Sequence, residues 1–155
     1  MKMISTNVAD LAWLAGIIDG EGSIFVMKQK RNDRDRDINF ILRVSVDSTD
    51  PYMTPACQEI AGGPCVTQKR DKRPECSDGL KWQVNGKYAI KVLEAILPYL
   101  RVKKHQALLA IEFQKTTKKH WKRMTQSDYE QQEIIYNKLK EAKRDLKIGK
   151  LKDKI

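Results

Sequence analysis

Two carboxylates stand one residue apart in the segment Asp19-Gly20-Glu21-Gly22. The run before them has helical patterning, opened by Asn7 as an N-cap with Asp10 as an acidic first-turn residue, so the spacing predicts a helix over Val8 to Asp19 that Gly20 and Gly22 stop. The acids then lie at the C-terminal end of a helix, where the macrodipole disfavours negative charge. Something must compensate, and a divalent cation would. Carboxylates and backbone carbonyls are hard oxygen donors suited to Mg²⁺. Ala12, Gly16 and Gly20 recur every four residues and so share one helix stripe. Small residues at that spacing let two helix backbones come close. Two such helices side by side would join two acidic ends, and metals about 3.5–4 Å apart stabilise both the attacking and the leaving oxygen in phosphodiester hydrolysis.

The charge of the chain points to a polyanion. Its 155 residues carry 30 Lys and Arg against 20 Asp and Glu, a formal charge of +10. The positive residues cluster: Lys28 to Arg36, Lys69 to Arg73, Arg101 to Lys104, Lys115 to Arg123, and the stretch from Lys138 on. Clustered Lys and Arg with a pI near 9.5 are the electrostatic footprint of a nucleic-acid partner. The first cluster is diluted by Asp33, Asp35 and Asp37 and reads as a hairpin loop. With 41% hydrophobic residues the chain is too apolar for disorder, and no apolar run reaches the roughly 18 residues of a membrane span. No cleavable signal peptide is expected at the N-terminus, and an intracellular place is expected, with organelle and prokaryotic or phage cytoplasm both left open. Cys57, Cys65 and Cys76 match no zinc spacing and read as reduced thiols.

The remaining elements must position these groups. Ser23 to Gln29 reads as a strand. Ile38, Phe40, Leu42, Val44 and Val46 alternate with Asn39, Ile41, Arg43, Ser45 and Asp47 in a period-2 strand with one apolar face. Asp50-Pro51 opens a helix that ends at Gly62-Gly63. Cys65 to Lys72 and Leu80 to Asn85 read as strands, and Gly86 breaks the second of them. Lys87 to Leu97 and Lys103 to Lys115 read as helices. Ser127 and Glu130 form an expected capping box for a last helix, with Tyr129, Ile135, Leu139, Ala142 and Leu146 as its apolar stripe. The expected fold is α+β, in the order α-β-β-α-β-β-α with a four-stranded antiparallel sheet, helices on its other face, and a C-terminal helix. One domain spans 1–155, with a core over about 8–115 and a helical extension over about 125–148.

Leu14-Ala15-Gly16-Ile17-Ile18-Asp19-Gly20-Glu21-Gly22 resembles the motif that names the LAGLIDADG homing endonucleases, departing from it at Ile17, Gly20 and Glu21. The segment Pro98 to Ala107, with Arg101, Lys103 and Lys104, is similar to a second landmark of that family, a basic residue before a helix start. The resemblance runs through the element order over roughly 8–115. It implies a sequence-specific, Mg²⁺-dependent double-strand DNA endonuclease that cuts a pseudo-palindromic site and initiates intron homing. The motif occurs once, which in that family implies a homodimer joined through the Ala12, Gly16 and Gly20 stripe.

The same resemblance assigns roles. Glu21 aligns with the metal-binding acid, the Gly20 carbonyl is a further metal ligand, and Asp19 is either a ligand or a structural acid at the helix end. Lys103 aligns with a basic residue near the scissile phosphate. Asp47 or Ser48 occupies the place of a polar residue that organises the water network. The outward sheet face is expected to read DNA through Asn39, Arg43 and Ser45 on the second strand, Thr67 and Lys69 on the third, and Lys81 and Gln83 on the fourth. On the first strand two registers stay open: the family register puts Phe25, Met27 and Gln29 outward, whereas polarity favours Lys28 and Lys30. Arg31 is a further expected DNA contact. His105 and His120 read as backbone-contact or surface residues. Competing readings on the same fold are an RNA-splicing maturase with intron RNA as partner, and a DNA-binding regulator that does not cut. No membrane partner is expected.

Overall fold

The computed structural model describes residues 3–30, 38–69, 75–117 and 124–145. Helix α1 spans Val8–Glu21, strand β1 Gly22–Lys30, β2 Ile38–Ser48, helix α2 Met53–Ala61, β3 Cys65–Gln68 and β4 Gly79–Asn85. Helix α3 spans Gly86–Ile96 and runs into a single 3-10 turn, Leu97–Tyr99. Helices α4 (Lys104–Lys115) and α5 (Gln126–Asp145) follow. The strands form one antiparallel sheet in the order β1-β2-β4-β3. The α+β order expected from sequence is the order observed.

The alternation of β2 decides which face is buried. Phe40, Leu42, Val44 and Val46 point into the core with Ile24 and Val26 of β1 and Trp82 and Val84 of β4. The helices cover this side through Leu14 and Ile18 of α1, Cys57 of α2, Val92 and Leu93 of α3, and Ala110 and Phe113 of α4. Helix α5 joins the same core through Ile135 and Leu139, and Tyr136 sets its ring 5.6 Å from that of Phe40. Burial of large apolar side chains of this kind, worth about 1.5–3 kcal/mol each, drives the helix layer onto the sheet. The Trp82 indole N–H donates to the Gly62 carbonyl at 2.7 Å, so the largest core side chain leaves no polar atom stranded.

Several boundaries differ from the sequence reading for local reasons. Helix α1 continues through Gly20 to Glu21, because no group of this chain meets a Cβ placed on Gly20 and nothing forces the helix to stop there. Helix α2 starts at Met53 instead of at Asp50-Pro51. The Asp50 carboxylate accepts from the N–H groups of Tyr52 and Met53 at 2.7 and 3.0 Å, forming a turn before the helix. Gly62 and Gly63 adopt positive φ of 69° and 84°, and Gly62, with ψ of −161°, takes a conformation open essentially to glycine alone as it ends α2. Strand β3 ends at Gln68, earlier than Lys72. The capping box of α5 is Thr125 with Asp128, not Ser127 with Glu130. The Asp128 carboxylate accepts from the Thr125 N–H at 2.7 Å, and the Thr125 hydroxyl accepts from the Asp128 N–H at 3.3 Å. Leu146 lies outside the described residues.

The turn from α1 into β1 depends on Gly22. Its φ of −84° is ordinary, but a Cβ there would lie 2.7 Å from Ile18 Cα and 2.9 Å from the Ile18 carbonyl oxygen. Both are backbone atoms, so the helix would have to move. Gly22→Ala is expected to lower stability by about 2 kcal/mol in thermal or urea unfolding. Gly20→Ala, which meets nothing of this chain, is expected to leave it unchanged or raise it by up to about 1 kcal/mol.

Candidate active site

The end of α1 is fastened to the segment before α4. The Asp19 carboxylate accepts from the Arg101 N–H through one oxygen and from the Lys103 N–H through the other, both at 2.8 Å. In return the Lys103 ammonium donates to the carbonyls of Ile18 and Asp19 at 2.7 and 2.8 Å. Both carbonyls belong to the last turn of α1; that of Ile18 also accepts from the Gly22 N–H, whereas that of Asp19 lies beyond the helix's own ladder. A cation therefore offsets the dipole end and the carboxylate that the sequence places there. Burial holds the Lys103 ammonium below its usual lysine range, while Asp19 and then Glu21 pull it back up. One of its three N–H groups is left for another acceptor.

Glu21 is exposed at the last position of α1. The Gly20 carbonyl beside it is again among those without an intrahelical partner. This donor set is all oxygen and fits a hard divalent cation. Among the described residues no three His, Cys, Asp or Glu side chains come together as a metal-binding group.

Asp47 and Ser48 lie at the same end of the sheet, because Val46 pairs with Gly22 and Asp47 is one residue beyond. Asp47 is on the open face, 3.8 Å from the Lys81 ammonium. Ser48 is turned to its own chain, its hydroxyl accepting from the Asp50 N–H at 3.0 Å. His105 is exposed in the first turn of α4, and His120 lies outside the described residues.

The register settles the two alternatives for β1. Phe25 pairs with Arg43, Met27 with Ile41 and Gln29 with Asn39, so all six lie on the face away from the core. Lys28 pairs with Phe40 on the helix side, where its ammonium meets Glu133 of α5 at 3.3 Å. On β4, Lys81 and Gln83 share the open face with Asp47 and Ser45. Two expectations fail on this face. Thr67 pairs with Leu80 and belongs to the helix side, and Val66 and Gln68 take the open-face positions of β3 instead. Lys69 lies past the end of that strand. Ser45 has the expected parity but is only 2% exposed, because this short side chain is flanked by Ser23 and Gln83 on the neighbouring strands. Arg31 lies outside the described residues.

One residue near the site was not expected at all. Lys143, in the last described turn of α5, sets its ammonium 5.1 Å from the centre of the Phe25 ring. Burial pushes this lysine below its usual range, and the positive charge of Lys103 pushes it further. The C-terminal helix therefore brings a second cation towards the end of α1. Ala12, Gly16 and Gly20 are exposed on the opposite flank of α1, with Val8 and Trp13, and nothing of this chain stands within 4 Å of a Cβ on either glycine.

No protein-family model matches the chain, and no curated protein sequence does. Solved structures do. The homing endonuclease I-CvuI in complex with its target superposes with a TM-score of 0.71 at 23% identity, covering 88% of this chain and 85% of that one. The archaeal intron-encoded homing endonuclease I-Vdi141I, complexed with DNA, gives 0.71 at 17% identity, covering 86% and 84%. The I-SmaMI LAGLIDADG homing endonuclease, bound to cleaved DNA, gives 0.63 at 20% identity, covering 87% of this chain and 44% of that one. The chain has the LAGLIDADG homing-endonuclease fold. Within that fold it accounts for most of the length of I-CvuI and I-Vdi141I, and for less than half of I-SmaMI.

The clamp between α1 and the Lys103 segment makes a measurable demand. Asp19→Asn removes the charge that raises the Lys103 ammonium and keeps only one carboxamide acceptor for two N–H donors. The Lys103 titration, followed by NMR of the lysine side chains, is expected to move further down. Stability is expected to fall by roughly 1–2 kcal/mol.

Proposed function

We propose that the protein is a homodimeric, Mg²⁺-dependent endonuclease that cuts double-stranded DNA at a pseudo-palindromic site and so initiates intron homing. The observation that carries this reading is the conjunction at the end of α1. An exposed Glu21 and a free Gly20 carbonyl stand beside a lysine with a spare N–H, at one end of an open and largely polar sheet face. The LAGLIDADG motif occupies that same turn, on a fold shared with proteins solved on DNA.

The roles follow from chemistry. Glu21 and the Gly20 carbonyl would hold Mg²⁺, and Asp19 is left to fasten the Lys103 segment. When bound, the cation would supply charge stabilisation at the phosphodiester. Lys103 would present its remaining N–H to the negative charge that develops on the phosphate. The open sheet face fits the major groove, where every base pair is distinguishable. Lys81 and Gln83 of β4 would face the bases with Arg43, and lysines and arginines off this face would position the backbone.

The outward face of α1 supports the dimer. This helix is apolar on two sides: Leu11, Leu14, Ala15 and Ile18 face the core, and Val8, Ala12, Trp13 and Gly16 face away. A helix apolar nearly all round is normally covered all round. A second copy laid along the Ala12, Gly16 and Gly20 stripe would bring two Glu21 carboxylates together. The near full-length match to I-CvuI, against less than half of I-SmaMI, is consistent with one chain forming half of a two-part enzyme.

Incubating the protein with a diverse duplex library in Mg²⁺ is expected to yield cuts at one shared pseudo-palindrome. Glu21→Gln is expected to lower cutting on the order of a hundredfold or more while duplex binding persists. Binding without any cut by the wild type would favour a regulator, and selection of structured intron RNA over duplex would favour a maturase. In sedimentation, Gly16→Leu is expected to lower the mass from two copies to one with helix content retained, since position 16 is exposed and a Cβ there meets nothing of its own chain.

A further inference from the structure

We propose that Asn85 is a positioning residue that holds the Arg43 guanidinium for bidentate recognition of guanine, at one position in each half of the DNA site. This deepens the reading of the open sheet face and rests on it. Arg43 lies in an inner strand, directly between Phe25 of β1 and Asn85 of β4. Its Nε–H donates to Asn85 Oδ1 at 2.8 Å. Among the described residues no carboxylate forms an ion pair with it. Fixing Nε leaves the two terminal nitrogens of the planar fork available. Their spacing matches guanine O6 and N7, which together accept from an arginine in the major groove. Pre-fixing one donor also lowers the rotamer freedom this long side chain would lose on binding.

The setting of Arg43 on the face suits it to base reading. Arg43's neighbours on its own strand and face are Ile41 and the buried Ser45, both uncharged. Lys81, also on an inner strand, has its ammonium 3.8 Å from the Asp47 carboxylate, whereas Arg43 keeps its charge free of a carboxylate among the described residues.

The use made of Asn85 is itself informative. By backbone it is the N-cap of α3, with φ −124° and ψ 156°, and asparagine is among the best N-cap residues. Yet its side chain makes no cap hydrogen bond. The Oδ1 that would ordinarily serve the helix start goes to Arg43.

This allows a variant that withdraws the anchor without harming the helix. Asn85→Ser restores a good cap and is too short to span to Arg43, whereas Asn85→Asp keeps an acceptor in place. Selection from a random duplex library, with Ca²⁺ in place of Mg²⁺, would read base preference position by position. Thermal melting and sedimentation would confirm that each variant is folded and has the wild-type mass. The wild type is expected to require guanine at one symmetry-related pair of positions. Asn85→Ser is expected to relax that preference about tenfold at those positions alone, Asn85→Asp to retain it, and Arg43→Gln to abolish it at the same positions. An unchanged profile for Asn85→Ser, or a uniform loss of affinity at every position, would overturn the inference while leaving the nuclease reading standing. A wild type that selects no duplex sequence would overturn both. Should Asn85→Ser fail to fold, Asn85→Gly, which an N-cap also accepts and which likewise lacks an acceptor for Arg43, takes its place with the same two outcomes.

Discussion

The reciprocal clamp between Asp19 and the Lys103 segment is the constraint on which the rest of the site depends. The end of a helix carries unpaired carbonyls and a partial negative charge, and here the sequence adds a carboxylate to it. The structure resolves this within one chain. Asp19 turns back to accept two backbone N–H groups, and Lys103 answers with its ammonium on two carbonyls of the same turn. Four hydrogen bonds thus tie α1 to a segment more than 80 residues away in the chain. Glu21, next but one along, is thereby left exposed on a fixed support. Of the two acids, Asp19 is the one bonded to the backbone of the Lys103 segment.

The sheet supplies the second fixed element, and Gly22 joins the two. Because Gly22 passes against the backbone of Ile18, β1 leaves α1 without a connecting loop, and the open face begins where the helix ends. Residues on that face are held in rows across the strands, such as Phe25, Arg43 and Asn85, or Ser23, Ser45 and Gln83. Exposure within a row is uneven. A short side chain at an inner position, as at Ser45, disappears between its neighbours, while a long one rises above them.

Much of this was legible in the sequence wherever a periodic signal was strong. The alternation from Ile38 to Asp47 assigns both faces of β2, and that strand then orders its neighbours. The LAGLIDADG-like segment ends at the turn where Asp19 and Lys103 are clamped together. Legibility fails where the signal is short or the partner is distant. Cys65 to Gln68 gives too few alternations to set a face, and only the pairing of Thr67 with Leu80 places it on the helix side. Thr125 and Ser127 are both good caps, and only the hydrogen bonds of Asp128 distinguish them. Lys143 could not be found by spacing, because its place depends on how α5 packs against the Phe40 and Lys28 end of the sheet. A sequence with many lysines does not mark the one that packing will bury.

The edges of the sheet bear on solubility. An open antiparallel sheet offers unpaired backbone groups at both margins, and a long flat margin invites another chain to add a strand. Here β3 is only four residues long, which gives little template for pairing. The other margin, β1, carries Lys28 and Lys30 at its far end, and Lys28 is held by Glu133 of a helix packed alongside. Cationic and partly shielded, that margin resists strand addition. A concentrated preparation should therefore be limited by what its broad face and its α1 flank attract, and not by fibre growth along the strands.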